Sequence, residues 1–397
     1  MKEIRVIPLM KNAFYDEYET KIKLADFILQ ADKLSMSVMC DKFEQDFSIY
    51  NKTKSSVLFN SGGSANLALL QALKNLGKLK DGDKIGVSAL TWSTNVMPII
   101  QLGMIPVAID VNKETLNVMS GNLNDFLVNN SIDALFTTNV LGFAGDLENI
   151  NEICNDNNII LIEDNCEALG TELNNKKTGT FGLAGTHSFF VAHHMSTIEG
   201  GMVSTDDEEL SNMLTIVRAN GWDRNLAYEE QSKLRNKHSI YTEFHAKYSF
   251  YDLGFNFRPT EITGFLGSIQ LKFLAKNVLK REGNYKILEK HTLSNDDLIY
   301  IKHEHINLLS SFAFPVITKN KLLRDKYIEK FSSAGVEIRP VISGNIQLQP
   351  FYKKYVNNPQ ELPNTNLIHE NGFYFGNYPE LNKLDLEILI NCLSEGY

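Results

Sequence analysis

The 397-residue chain is poor in cysteine, poor in proline and free of long apolar runs, and each shortage excludes something. Its four cysteines, Cys40, Cys154, Cys166 and Cys392, are scattered, with no CxxC pair and no cysteine–histidine cluster. That argues against a disulfide framework or a zinc ribbon and predicts free thiols in a reducing compartment. No run is long and apolar enough to span a bilayer. The start, Met1-Lys2-Glu3-Ile4-Arg5, has no apolar signal segment. The expectation is a soluble, cytoplasmic protein with no membrane partner. An excess of positive charge is missing too. The formal net charge is −9, which speaks against general nucleic-acid binding. Local arginines and helix N-termini could still hold an anionic small molecule.

What is present reads as an ordinary globular enzyme, with 43% apolar and 22% charged residues. The length suits a large domain with a smaller companion. There is no internal repeat and no low-complexity linker. Short apolar runs at 55–59, 84–88, 105–110, 134–138 and 159–163 predict strands. Helical spacing covers 65–76, 93–103 and 148–156 between them. That alternation predicts an α/β fold with a mostly parallel central sheet covered on both faces. Further strands are expected at 186–192 and 202–205, and a helix at 208–219. Residues 225–247 are polar and weakly periodic, and read as a long loop or flap. A long helix is expected at 259–280. The last third reads as α+β, with strands at 311–317 and 336–340 and helices at 321–334 and 384–393. The predicted division is a large α/β domain over 1–265 and a small C-terminal α+β domain over 266–397.

Three segments could carry chemistry. Ser61-Gly62-Gly63-Ser64-Ala65-Asn66 joins a strand to a helix. Its glycines let a ligand approach the backbone, and free N–H groups at the helix start favour a phosphate. The same string also suits a plain glycine-rich turn. Glu163-Asp164-Asn165-Cys166-Glu167 ends an apolar strand, at the edge where ligands gather in open α/β sheets. Carboxylates there need partners. A protonated pyridine nitrogen, Mg²⁺ or solvent could supply them. Ser188-Phe189-Phe190-Val191-Ala192-His193-His194 precedes Glu199-Gly200-Gly201. Read as a strand, adjacent histidines point to opposite sides, so one at most faces a given pocket. The alternatives are a base, a metal ligand or a structural histidine.

In this order and spacing, the segments resemble the DegT/DnrJ/StrS group of sugar aminotransferases, which have the pyridoxal-phosphate (PLP) fold type I. The resemblance runs from about residue 30 to the C-terminus. It includes Thr91-Trp92-Ser93-Thr94 and Gly254-Phe255-Asn256-Phe257-Arg258-Pro259. One position departs. Six residues before Glu199, where family aminotransferases carry the cofactor lysine, stands His193. His193-His194 and Glu167, in place of the usual Gln, resemble a subset of the family that removes the C3 hydroxyl of nucleotide sugars. Arg218 to Leu226 and Arg339 to Asn345 resemble it too.

The resemblance implies a 3-dehydratase working with PLP and its pyridoxamine form (PMP). Its implied substrate is a nucleotide-linked 4-keto-6-deoxy sugar, GDP-4-keto-6-deoxymannose or a close analogue. L-Glutamate is the implied amino donor. His193 is the implied base and Asp164 the partner of the pyridine nitrogen. Gly63, Ser64 and Ser188 are expected at the cofactor phosphate, with Asn256 arriving from the second subunit of a homodimer with shared sites. Trp92 is expected to stack on the ring and Glu167 to bond near its hydroxyl. Arg224 and Arg339 are candidates for the diphosphate, and Trp222 for substrate contact or packing. His187 and His194 are expected to be structural. An iron–sulfur relative needs several cysteines beyond Glu199-Gly200-Gly201. Only Cys392 follows it here, so no cluster and no reductase partner are expected. The alternatives are an aminotransferase making an amino sugar and a PLP-fold protein without catalysis.

Overall fold

The computed structural model describes residues 6–394. A seven-stranded sheet forms its centre. In chain order the strands are β1 (Ser55–Phe59), β2 (Lys84–Ser88), β3 (Ile105–Ile109), β4 (Ala134–Thr138), β5 (Ile160–Asp164), β6 (Ala184–Ser188) and β7 (Gly201–Thr205). Across the sheet they run β1-β7-β6-β5-β4-β2-β3, and β7 alone is antiparallel to its neighbours. The parallel strands are buried along nearly their whole length, which is why they read as apolar runs rather than alternations. Their C-terminal ends, Phe59, Ser88, Thr138, Asp164 and Ser188, lie along one edge.

A second, antiparallel sheet holds β8 (Leu298–Ile299), β9 (Ala313–Thr318), β10 (Ile338–Pro340) and β11 (Gly372–Gly376), in the order β8-β9-β11-β10. The architecture is mixed α/β, as expected from the sequence. Helix Glu261–Leu293 has 33 residues and is about 50 Å long. It packs on helix Val38–Asn51 at close range. A Cβ at Gly264 would meet the Met39–Cys40 backbone at 2.4 Å, and one at Gly267 would meet the Phe43 ring at 2.4 Å.

Several boundaries move. The strand expected at 186–192 starts at Ala184 and stops at Ser188, because the chain leaves the sheet there to form the 189–200 loop. His193 and His194 therefore sit on a loop, not a strand. The long helix runs thirteen residues beyond the expected end at Lys280, since nothing after it breaks a helix. The polar segment 225–247 contains helices Tyr228–Lys237 and Glu243–Ala246. The first buries none of its residues, so it has no apolar face to produce periodicity. Helices Glu17–Gln30 and Val38–Asn51 had no counterpart in the sequence reading.

Candidate active site

The ends of β1, β5 and β6 supply one wall of a cavity of about 410 Å³. After β1, the Ser61 side chain caps helix Gly62–Asn75 by accepting from Ser64 N–H at 3.1 Å. Ser64 lies at this helix start, its hydroxyl 2.9 Å from that of Ser61. Gly62 and Gly63 line the cavity. A Cβ at Gly62 would stand 2.6 Å from the Cβ of Ser188, so glycine is what lets helix start and strand end form one cradle. Gly201 serves the same closeness from the other side, where a Cβ would meet Ser61 O at 2.2 Å.

Strand alternation separates the two carboxylates that end β5. Glu163 is fully buried and accepts from the backbone N–H groups of Gly179, Phe181 and Gly182 and from Asn139 Nδ2, at 2.6–3.3 Å. It ties the loop before β6 to β5. Asp164 lines the cavity, 4% exposed. Its Oδ1 accepts from Cys166 N–H at 2.9 Å and its Oδ2 from Asn66 Nδ2 at 3.0 Å. These bonds aim the carboxylate but bring no positive charge to it.

Glu167 stands beside it and accepts from Leu141 N–H at 2.9 Å. Burial, and then the nearby Asp164 charge, push its pKa up to about 8 against the single backbone bond. At neutral pH it is a neutral acid able to donate, which makes it a near-isostere of Gln.

His193 also lines the cavity. Its Nδ1–H is 3.3 Å from Ser188 O, which orients the ring and leaves Nε2 with a free lone pair. Phe312 stands edge-on to it at 5.5 Å and Phe190 at 6.0 Å. Burial lowers its pKa to about 4, Ser188 O and Asp164 oppose that, and Arg281 adds to it. The imidazole is neutral at neutral pH. His194 turns away and pairs through Nε2 with Ser310 O at 2.8 Å. His187 is buried edge-on to Phe47 at 5.0 Å, its pKa lowered to about 3 by burial. Trp92, 55% exposed, stands at the cavity's rim.

Gly63, Trp92, Asp164, Glu167, Ser188 and His193 thus share one cavity. Arg224 and Asn256 do not. They line a separate pocket of about 800 Å³ together with Lys33 and Arg258. Asn256 bridges to Ala219, and Arg224 lies over the Trp222 ring at 4.1 Å. Trp222 stacks on Phe250, and its Nε1 finds no acceptor among the described residues. Arg339 is half exposed and paired with Glu337 at 2.6 Å. It lies outside the cavity lining, one strand across from Tyr374, which lines it. Among the described residues no group of three or more His, Cys, Asp or Glu could hold a metal, and no helix is long and apolar enough to cross a membrane.

The sequence reading missed Asn66, Phe312, Ile342 and Tyr374. Asn66 lies in the Ser61–Asn66 segment and Ile342 in the Arg339–Asn345 segment, both singled out above. Tyr374 had a local signal, since buried Phe373 and Phe375 flank it and alternation turns it to the other face.

The comparisons with known proteins bear on this geometry. A family-wide profile, the DegT/DnrJ/EryC1/StrS aminotransferase family, matches residues 16–394, starting earlier than expected. The GDP-4-keto-6-deoxy-D-mannose 3-dehydratase of Yersinia pseudotuberculosis is 34% identical over the full length of both chains. A solved structure of GDP-4-keto-6-deoxymannose-3-dehydratase with a trapped PLP–glutamate geminal diamine superposes with a TM-score of 0.89. It is 32% identical, covering 98% of this chain and 100% of that one. A variant of that enzyme with bound GDP-perosamine also has a TM-score of 0.89, at 31% identity and the same coverage. The chain belongs to the DegT/DnrJ/EryC1/StrS aminotransferase family.

Proposed function

We propose that this protein is a PLP/PMP-dependent 3-dehydratase acting on GDP-4-keto-6-deoxymannose or a close analogue, with L-glutamate as amino donor. The observation that carries this is His193, which lines the cavity six residues before Glu199, while no lysine among the described residues lines that cavity. The cavity fits the cofactor. The Gly62–Ser188 cradle at a helix N-terminus suits a phosphate. Asp164 is aimed by two hydrogen bonds and pairs with no cation among the described residues, which suits a protonated ring nitrogen.

The cofactor supplies an amine for the C4 ketone and an electron-accepting ring. The chain does the rest. Gly63, Ser64 and Ser188 bind the phosphate, and Asp164 keeps the proton on the ring nitrogen. Trp92 covers the ring, and Glu167 donates a hydrogen bond beside it. His193 takes a proton on Nε2 and returns it to the departing C3 hydroxyl. A neutral imidazole with an oriented ring suits both acts. Overall the sugar loses one oxygen, and glutamate leaves as 2-oxoglutarate and ammonia. Glutamate thereby provides the two electrons, so no reductase or iron–sulfur cluster is required.

The same reading makes the enzyme a homodimer with shared sites. Arg224 and Asn256, in their own basic pocket, serve the partner's cavity, with Arg224 and Arg339 on the diphosphate. Exposed Tyr248 and Phe250, packed on Trp222, support a partner on this face. Residues 1–265 hold the cofactor, and 266–397 close the cavity through Phe312, Ile342 and Tyr374.

The test is mass spectrometry of the sugar nucleotide after incubation with PLP, L-glutamate and GDP-4-keto-6-deoxymannose. The expected product is one oxygen lighter, with equimolar ammonia and 2-oxoglutarate. A nitrogen-bearing product would make the protein an aminotransferase. An unchanged sugar on cofactor-loaded protein would point to a different sugar nucleotide, or, if analogues are also left unchanged, to the non-catalytic alternative.

A further inference from the structure

Isoleucine is poorly suited to a left-handed backbone, because its branched Cβ crowds the neighbouring carbonyl. Among the described residues Ile198 and Ile342 are the β-branched side chains at positive φ, at 73° and 49°. Ile198 directly precedes Glu199, which lines the cavity, and Ile342 lines it itself. The backbone around Ile342 is held from several sides. Ser343 Oγ donates to Thr91 O, and Gln349 Nε2 donates to Ser343 O at 2.9 Å. Gly344 N–H donates to Val341 O at 2.8 Å, Ile346 N–H to Ala89 O at 3.0 Å, and Asn345 bridges to Leu90. The loop is therefore stapled to the segment that leads into Trp92. Asparagine or glycine would sit at such a φ with less strain, and Asn158, Asn174, Asn175 and Asn220 do so elsewhere in this chain. A strained residue persists where its surroundings over-determine it and its side chain has a use.

That use can be read from the cavity. Asp164, Glu167, Ser188 and His193 bring polar groups to the cavity. Trp92, Phe190, Ala192, Phe312 and Ile342 bring apolar surface to the same cavity. Ile342 belongs to the C-terminal part of the chain, whereas the phosphate cradle and Asp164 lie at the edge of the large sheet. Resting on the dehydratase reading above, we infer that Ile342 is a specificity-determining residue, forming the apolar wall against which the deoxygenated C6 end of the ketosugar packs. An apolar wall leaves a C6 hydroxyl without a partner and so favours a 6-deoxy sugar.

The test compares wild type with I342V, I342G and I342N. KM and kcat are measured on GDP-4-keto-6-deoxymannose and its 6-hydroxy analogue, together with thermal midpoint and PLP affinity. I342V keeps the wall and is expected within about twofold of wild type in KM. I342G and I342N relax the backbone, so their thermal midpoints should match or exceed wild type, with PLP affinity unchanged. Their KM for the 6-deoxy sugar should rise about tenfold, and in I342N the preference for 6-deoxy over 6-hydroxy should fall by about the same factor. A lower thermal midpoint with unaltered KM and unaltered preference would make Ile342 packing only and overturn the inference. Wild type that fails to dehydrate either sugar would instead overturn the functional reading. If wild type still binds the nucleotides, their Kd values replace KM with the same expected ratios.

Discussion

At the edge of the large sheet, Asp164, Glu167 and His193, which line the cavity, are each held by a neighbour in the same chain. Asp164 has Asn66 and Cys166 N–H, Glu167 has Leu141 N–H, and His193 has Ser188 O. Around Arg224 the arrangement is the reverse. Arg224 lies on Trp222, Arg258 reaches Asn256 Oδ1 at 3.1 Å, and Tyr248 and Phe250 beside Trp222 are exposed. Burial explains the difference. A charge taken out of water needs its partners built in, while a solvated cation can wait for them. The cavity is thus organised before anything binds. The basic pocket has the character of a surface completed by another molecule.

The strongest way to break this contrast is at its most organised point. His193→Asn keeps a polar side chain of similar reach but cannot cycle a proton. It should lower kcat by about 10³-fold while PLP still binds. Steady-state turnover with a parallel absorbance titration checks both halves. Near-normal turnover in that variant would move the base elsewhere.

The second experiment asks whether the two regions work across subunits. Arg224→Ala should raise KM for the GDP-sugar by about tenfold with little change in the cavity itself. At a substrate level too low for Arg224→Ala to turn over appreciably, each pure variant is nearly silent. Mixing Arg224→Ala and His193→Asn protomers, with subunit exchange, should restore about a quarter of wild-type activity, because half the dimers then carry one intact site. Activity that stays at the sum of the two variants would show that Arg224 serves its own chain.

The smallest expected effect concerns Glu167. It is a neutral donor below about pH 8 and loses its proton above that value. Activity that needs the donor must therefore fall as the pH rises through that region. Glu167→Gln carries no titratable proton, so it should cost only a few-fold at neutral pH and flatten the alkaline limb. A limb that survives in Glu167→Gln belongs to some other group.

Much of the organised region was legible in the sequence because it is local. A strand end followed by Ser61-Gly62-Gly63-Ser64, or by Asp164 to Glu167, declares itself within a few residues. The His193 departure needed only its distance from Glu199. The loop 225–247 was legible as polar but not as helical, since helix Tyr228–Lys237 has no buried face to leave a pattern. The C-terminal contributors to the cavity were harder to read as site residues. Phe312, Ile342 and Tyr374 reach it only through the pairing of β9, β10 and β11 and through the staple between Ser343 and Thr91.

By itself the sequence determined the alternation of strands and helices, the residue types at each strand end and the absence of a lysine before Glu199. Those properties are written in short-range periodicity and in the chemistry of single side chains. The tertiary structure alone decided how His194 and Glu163 are tied away from the cavity, by Ser310 O and by the N–H groups of Gly179, Phe181 and Gly182, and that an isoleucine at positive φ lines it. Each depends on register and on contacts between segments many residues apart, which no local pattern encodes.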